Sequence, residues 1–487
     1  MPVHAERPTA ALRQTLGVLR RFRHRLAESA DAYVAAVGQH DRRGPGVTLS
    51  TEVIPLADAC LFLERSAYRL LRPKKLRSRR RPLWLLGVDA QVRREPYGRV
   101  VVIGPGNFPL FLPGAQVLQA LTAGNTVEVK PAPGCSAAMR LLREQLVDCG
   151  LAPERFTVLG ESVHHAEAAV DRADLVVATG SFATGQAILR RCAERATPCL
   201  LELSGCDAMA VLDSADLDAA VASLCFGLAL NGSQVCIAPR RVFVAPTVLD
   251  AFCDKLRAAL PALPKAPVPG PALASLHTLA EHLRPPIAKL LSPQQKPADP
   301  MAPIVWRLTE REHAVGGIDV FAPWAVVCPA PQEDAQWPEV VHRGGYRLGV
   351  SIWGERRAAE ALAHTLDVGS VVINDVVAPT ADPRLPFEGR GRSGYGPTRG
   401  AEGLLAMTRT QAVSARRLRF YPHFDPPTDA QAQVLRAGLR LAHGSSLFQR
   451  LAAIPSLMRA ARQTRADPKP ADPNANPTAD PAKDAPS

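Results

Sequence analysis

Three polar residues sit among glycines and apolar neighbours, and each has a chemistry that such a setting favours. Cys236 stands in Leu230-Asn231-Gly232-Ser233-Gln234-Val235-Cys236-Ile237-Ala238-Pro239-Arg240. A helix ending at Asn-Gly and a strand opening after Arg240 put this thiol on a loop, the partly exposed setting in which a thiolate acts as nucleophile. Taken alone, it reads more readily as a buried, inert cysteine. Glu202, in Cys199-Leu200-Leu201-Glu202-Leu203-Ser204-Gly205, is a carboxyl inside an apolar strand. Desolvation there raises its pKa and suits it to general-base work, while a strand-end glutamate held by backbone donors is an equal alternative. Asn107 follows Ile103-Gly104-Pro105-Gly106, whose glycines let backbone approach a ligand. Its amide is a donor for a developing oxyanion, or simply closes a turn.

The elements around these residues are legible from periodicity. Residues 9–37 and 53–71 read as helices, with a basic loop at 74–81. From residue 98 short β-branched runs alternate with helical stretches. The expected strands are 98–104, 125–131, 156–159, 175–178 and 200–203, and the helices between them 111–123, 137–149 and 184–196. That alternation predicts a doubly wound parallel sheet, which takes ligands beyond the carboxyl ends of its strands, where Asn107 and Lys130 both fall. A second α/β part follows, with strands at 200–203, 241–244, 325–328, 348–353 and 370–374 and helices at 216–230 and 246–260. The Pro-rich passage 261–303 reads as irregular and exposed. The last 20 or so residues read as disordered.

At 487 residues the chain is too long for one ordinary core, so two domains with appendages are expected. The net charge is +12, yet the basic runs near the N-terminus lack interleaved aromatics, which argues against a nucleic-acid partner. Ten cysteines without C-x-x-C pairs argue against a metal site and a disulfide framework, and for a reducing, cytoplasmic setting. No apolar run reaches about 18 residues, so no spanning helix is expected. Residues 429–465 read as two amphipathic helices with leucines on one side and arginines elsewhere. Packing against the body or a partner subunit is the preferred reading, and a peripheral contact with an anionic membrane surface the second.

Several segments together resemble the aldehyde dehydrogenase superfamily in order and wording. They are Val102-Ile103-Gly104-Pro105-Gly106-Asn107-Phe108-Pro109, Asn125 to Pro131, Ala178-Thr179-Gly180-Ser181-Phe182-Ala183-Thr184-Gly185, Leu201 to Gly205, and Gly232 to Cys236. Later come Val320-Phe321-Ala322-Pro323 and Leu385-Pro386-Phe387-Glu388-Gly389. The short N-terminal part and Asn374-Asp375 look most like the class 3 branch. The resemblance implies an α/β fold, with a doubly wound parallel-sheet cofactor domain and a second α/β catalytic domain. It implies that Cys236 attacks an aldehyde, that Asn107 holds the oxyanion, and that Glu202 activates water on the resulting thioester. It places Lys130 on the adenosine ribose, Gly180, Ser181 and Gly185 at the diphosphate, and Asp319 and Phe321 at the nicotinamide side of NAD or NADP, with NAD favoured. A homodimer is implied as well.

The chain departs from the pattern at several points. Asp319 stands in place of glutamate, Ala322, Glu388 and Ser204 replace glycines, Cys206 replaces a lysine, and Gly106 replaces a bulky aromatic. The expected division is 1–205 for the N-terminal helices and cofactor domain and 206–400 for the thiol-bearing domain. Residues 401–465 form a C-terminal segment and 466–487 a tail. An acylating relative that passes the thioester to coenzyme A, and a catalytically impaired scaffold, are the competing readings.

Overall fold

The computed structural model describes residues 9–466, apart from 42, 78–80, 83–84, 86, 284, 286, 295, 311–317, 319, 418–420, 422–423 and 425–427. Asp319 and the expected disordered tail therefore lie outside the described residues. The chain divides into two compact units, residues 1–73 with 93–411, and residues 74–92 with 412–487.

The first unit is built on two sheets. Six strands order as Gly394–Tyr395, Cys199–Leu203, Leu175–Gly180, Arg99–Ile103, Thr126–Lys130 and Phe156–Val158. All neighbours are parallel except the antiparallel edge pair of Gly394–Tyr395 with Cys199–Leu203. Val100, Val102, Val127, Val129 and Val177 pack with the helices Phe111–Thr122 and Ser136–Asp148 into one core. Strands this apolar, covered on both faces, are what the continuous Val and Ile runs dictate. Seven strands form the second sheet, ordered Ala288–Leu290, Ile304–Leu308, Trp324–Pro329, Pro239–Val244, Asp207–Val211, Gly349–Trp353 and Ser370–Ile373. Only its Ala288–Leu290 edge is antiparallel.

The predicted helix 9–37 is two helices, Ala10–Glu28 and Ala30–Asp41. The break is at Ser29, whose hydroxyl returns to the Arg25 carbonyl at 2.7 Å and accepts from Gln145 at 2.8 Å. Before the helix Ile54–Leu71 the chain makes a π-helical turn, Leu49–Val53, that carries the fully buried Glu52. Pro45–Leu71 is long and apolar enough by composition to cross a membrane, but Leu56, Cys60, Leu63 and Ala67 of this stretch belong to the core.

The passage 261–303 is not irregular. It contains the helix Gly270–His282, with Leu276 and Leu279 buried in the core of the second sheet, and the edge strand Ala288–Leu290. Pro271 lies at the start of that helix, where its missing N–H costs nothing and its fixed φ helps. The prolines that read as breakers are in part a start signal.

The second unit contains the two C-terminal helices, Asp429–His443 and Leu447–Ala466. Thr428 opens the first with a capping box, accepting from the Gln431 N–H while the Gln431 side chain accepts from the Thr428 N–H.

Candidate active site

The link between the sheets creates the site. Strand Cys199–Leu203 ends at its carboxyl end, and Ser204-Gly205-Cys206 carries the chain straight into the amino end of Asp207–Val211. The carboxyl edge of the first sheet thus meets the amino edge of the second. Asn107, Gly180 and Glu202 come from the first edge. Cys236, just before Pro239–Val244, and Phe321, just before Trp324–Pro329, come from the second. A cavity of about 450 Å3 opens between them, lined by these five residues together with Ser181, Gln234, Leu112, Val320, Pro271 and Ala272, among others. The sequence-predicted nucleophile, base and amide donor all line this cavity. Lys130 and Gly185 lie outside that lining.

The nucleophile loop is held in an unusual shape. Asn231, Gly232 and Ser233 all have positive φ, at 49°, 60° and 63°. Two non-glycine residues in that region cost free energy and must be over-determined by their surroundings. Buried Arg240 supplies the constraint. It donates to the Ser233 hydroxyl at 2.7 Å and the Ser233 carbonyl at 2.5 Å, and also to the Ala322 carbonyl at 2.8 Å. One guanidinium therefore ties the loop before Cys236 to the backbone beside Phe321. Gly205 completes the junction: a Cβ there would lie 2.6 Å from the Cys236 carbonyl oxygen.

Asn107 is fixed from three sides. Its amide donates to the Gln234 carbonyl at 3.0 Å, and its own carbonyl accepts from Arg43 at 2.7 Å and from the Asn231 amide at 2.9 Å. An amide nitrogen carries a second hydrogen, so the bond to Gln234 positions the group without exhausting it. Arg43 also pairs with Glu52 at 3.2 Å, and Glu52 accepts from the Leu110 and Phe111 N–H groups at 3.0 and 2.6 Å. The first helical layer thus fixes the loop that presents Asn107.

Glu202 is 2 % exposed. One oxygen accepts from the Thr398 hydroxyl at 3.1 Å, and Oε1 has no hydrogen-bond partner among the described residues. Burial pushes the carboxyl up, while the Arg399 charge and the Thr398 bond pull it back. Arg399 is itself buried against Phe387, 4.2 Å from the ring centroid, and donates to the Thr380 carbonyl at 2.6 Å. Burial also pushes the Cys236 thiol up, with the Glu202 and Asp207 charges adding to it and Arg399 opposing. The thiol is therefore protonated in this arrangement and needs a base. A carboxylate raised by burial is a stronger one than usual.

On the side where a dinucleotide is expected, Ser181 caps the helix Phe182–Ala193, its hydroxyl accepting from the Thr184 N–H at 3.2 Å. Gly180 and Ser181 bring that helix N-terminus to the cavity wall. Gly185 allows the helix to sit close on the sheet: a Cβ there would lie 2.5 Å from Leu203 Cδ1. A helix N-terminus aimed at an opening fits a diphosphate, so the residues present suit the implied cofactor. Lys130 is buried at the end of Thr126–Lys130. Burial lowers its pKa, and the charge of Glu161 counters this. Glu161 accepts from the Gly134 N–H at 2.8 Å and the Ser136 N–H at 3.0 Å, which holds its carboxyl below the usual range.

Arg240, Arg43, Glu52, Arg399, Asp207 and Glu161 had no assigned role from sequence. A signal existed for Arg240 alone, a cation immediately before an apolar strand. The others are joined to the site by contacts distant in sequence.

Residues 8–413 match the sequence signature of the Aldehyde dehydrogenase family. The chain is 31% identical over 414 residues to a 4,4'-diapolycopene aldehyde oxidase of Methylomonas sp, covering 82% of this chain and 77% of that one. It is 28% identical over 448 residues to a beta-apo-4'-carotenal oxygenase of Neurospora crassa, covering 86% and 81%. Among solved structures it resembles an NADP-dependent glyceraldehyde-3-phosphate dehydrogenase from Bacillus halodurans, complexed with NADP. That likeness has a TM-score of 0.76 and 25% identity, and covers 85% of this chain and 88% of the other. With its two-sheet α/β architecture and a signature match across most of its length, the chain belongs to the aldehyde dehydrogenase family.

Proposed function

We propose that the protein oxidises an aldehyde to a carboxylate with NAD or NADP, through intermediates covalently held on Cys236. The observation that carries this reading is the convergence of Cys236, Asn107 and Glu202 on one cavity that a helix N-terminus also reaches. Glu202 takes the thiol proton, and the Cys236 sulfur bonds to the carbonyl carbon. The oxyanion of the thiohemiacetal then accepts from the Asn107 amide and the Cys236 backbone N–H. When bound, NAD or NADP would supply the acceptor for the hydride that leaves this carbon, so that a thioester remains on Cys236. Glu202 releases the thiol proton to solvent, and its carboxylate then removes a proton from a water that attacks the thioester carbon. The C–S bond breaks, the thiol is restored and the carboxylate leaves. Gly180, Ser181 and Gly185 would hold the diphosphate, Lys130 the adenosine ribose, and Phe321 would flank the nicotinamide.

Glu202 supports water over coenzyme A as the acceptor, because thiol transfer has no need of that base. Glu161, which accepts from the Gly134 and Ser136 N–H groups and whose charge acts on Lys130, would repel a 2′-phosphate beside that lysine and so favours NAD, whereas relatives named as NADP-dependent favour NADP. The apolar wall of Leu112, Val320, Phe321 and Ala272, with relatives named for polyene aldehydes, supports an apolar aldehyde as substrate. Ten free thiols suit a reducing compartment such as the cytoplasm, and the proposal extends to a homodimer.

Nicotinamide absorbance on mixing with aliphatic, aromatic and polyene aldehydes tests the reading, with each cofactor in turn. Turnover is expected, to be abolished in Cys236→Ala. In Glu202→Gln, a burst of reduced cofactor that forms slowly and then stalls indicates that thiol deprotonation and thioester hydrolysis have both lost their base. Free turnover of Cys236→Ala would overturn the covalent route, and restoration of Glu202→Gln by coenzyme A would favour acyl transfer.

A further inference from the structure

The C-terminal helix pair is packed inside out. Asp429–His443 and Leu447–Ala466 bury Ala437, Ala453 and Ala460 and half-bury Val434, Leu441 and Leu457, while seven of their large apolar side chains face outward. Leu435 is 65 % exposed, Leu439 62 %, Leu447 72 % and Phe448 81 %, and Leu451, Ile454 and Met458 are exposed as well. Water-facing helices show the reverse arrangement, because burying a Leu or Phe side chain stabilises far more than burying Ala. The exposed residues are not scattered. Leu447, Leu451, Ile454 and Met458 recur at steps of four, three and four, and Leu435 with Leu439 at a step of four, so each of these sets shares one helix face, with Phe448 exposed beside the second.

The charges around these stripes indicate what covers them. Arg436, Arg440, Arg450, Arg459 and Arg462 are all exposed. At 100° per residue, Arg450 and Arg462 fall on either side of the Leu447–Met458 stripe. Between residues 429 and 466 the sole acidic residue is Asp429, in the first turn of the first helix. A second protein surface would need an apolar patch ringed by carboxylates. An anionic lipid surface offers both components in one plane, acyl chains for the stripe and headgroups for long cationic side chains that reach upward.

We infer that this helix pair is a docking surface for anionic phospholipid, which holds the protein peripherally on a bilayer. Each stripe lies along the interface with its leucines at the acyl boundary and its arginines among the phosphates. Neither helix crosses the bilayer. This inference is independent of the reaction at Cys236.

Co-sedimentation of the full chain with vesicles of phosphatidylglycerol and phosphatidylcholine, against vesicles of phosphatidylcholine alone, tests it. Binding is expected to the mixed vesicles, weakening as salt is raised. Replacing Arg436, Arg440, Arg459 and Arg462 by Gln should lower the partition coefficient by roughly fivefold per residue. Phe448→Ser with Leu451→Ser should lower it by about 100-fold. Both variants change exposed side chains, and unaltered circular dichroism and melting would confirm that each still folds. Equal pelleting with both vesicle types, or no pelleting, would overturn the inference. So would light scattering that shows the parent dimeric and the Phe448→Ser, Leu451→Ser variant monomeric, since the stripe would then be a subunit interface.

Discussion

Asp207 shows how much a single buried carboxyl can govern beside the proposed nucleophile. It lies directly behind the Cys236 loop, and a Cβ on Gly205 would sit 2.7 Å from its Oδ1. Burial pushes its carboxyl up to about 8, against a backbone bond from Gly349 and the charges of Arg241 and Arg240. Its folded pKa is above its unfolded value, so the stability it confers is complete below about pH 4. That stability is lost as pH rises toward 8, because the unfolded chain releases the proton first. Asp207→Asn keeps the shape and removes the titration. In urea the variant should gain on the parent by about 1.4 kcal/mol per pH unit between pH 5 and 8, and level off above. A difference that does not change with pH would mean that Asp207 ionises freely in the folded protein. The same substitution removes one of the two carboxylates that hold the Cys236 thiol up, so thiol alkylation should begin at lower pH than in the parent. Glu202, the other carboxylate, behaves in the same sense, and its Oε1, without a partner among the described residues, fits it to receive the thiol proton.

Among the elements, the nucleophile turn depends most on one distant side chain. Arg240 follows Cys236 by four residues, yet it reaches back to Ser233 and across to Ala322. Arg240→Met should let Ser233 leave its positive φ, lower kcat by about 100-fold through misplacement of the sulfur, and cost about 3 kcal/mol in chemical denaturation. Unchanged kcat with reduced stability would assign Arg240 to the core alone. The strands and helices that carry the site were readable because each follows one period: valine runs for buried strands, and three- and four-residue steps for helices. The loops were readable because Gly104, Gly106, Gly180 and Gly232 punctuate them. Other elements escaped for physical reasons. The helix Gly270–His282 was hidden by prolines that open it, and Val88–Pro96 and Thr408–Arg416 show little apolar alternation, their side chains being half-buried or exposed along most of their length. Asp207–Val211 follows Leu203 after so short a link that one apolar stretch serves two sheets. Arg43, Glu52 and Arg399 could not be assigned from sequence, since their roles exist only when segments 58 to nearly 200 residues apart meet.

At the scale of the two-sheet unit, the proposed diphosphate and adenosine-ribose contacts lie on one sheet, and the proposed nucleophile lies on the other together with Phe321. Gly180, Ser181, Gly185 and Lys130 belong to the first, where the implied dinucleotide rests on strand ends and a helix N-terminus. Cys236 and Arg240 belong to the second, joined to the first through Ser204-Gly205-Cys206. Binding and chemistry are therefore separable by mutation. Cys236→Ala and Arg240→Met should retain cofactor affinity within about twofold by calorimetric titration while turnover collapses, because neither touches the first sheet's contacts. Gly185→Val should do the opposite: its branched side chain would meet Leu203 and lift the helix N-terminus away, weakening cofactor binding while the Cys236 thiol keeps its reactivity toward alkylation. Binding to the folded state alone also raises stability, by about 2.7 kcal/mol at a hundredfold excess over Kd. Cofactor should therefore raise the melting temperature of Cys236→Ala and leave that of Gly185→Val nearly unmoved. If cofactor affinity fell equally in all three variants, the two sheets would be acting as one binding element, and the division of labour argued from their opposed edges would be wrong.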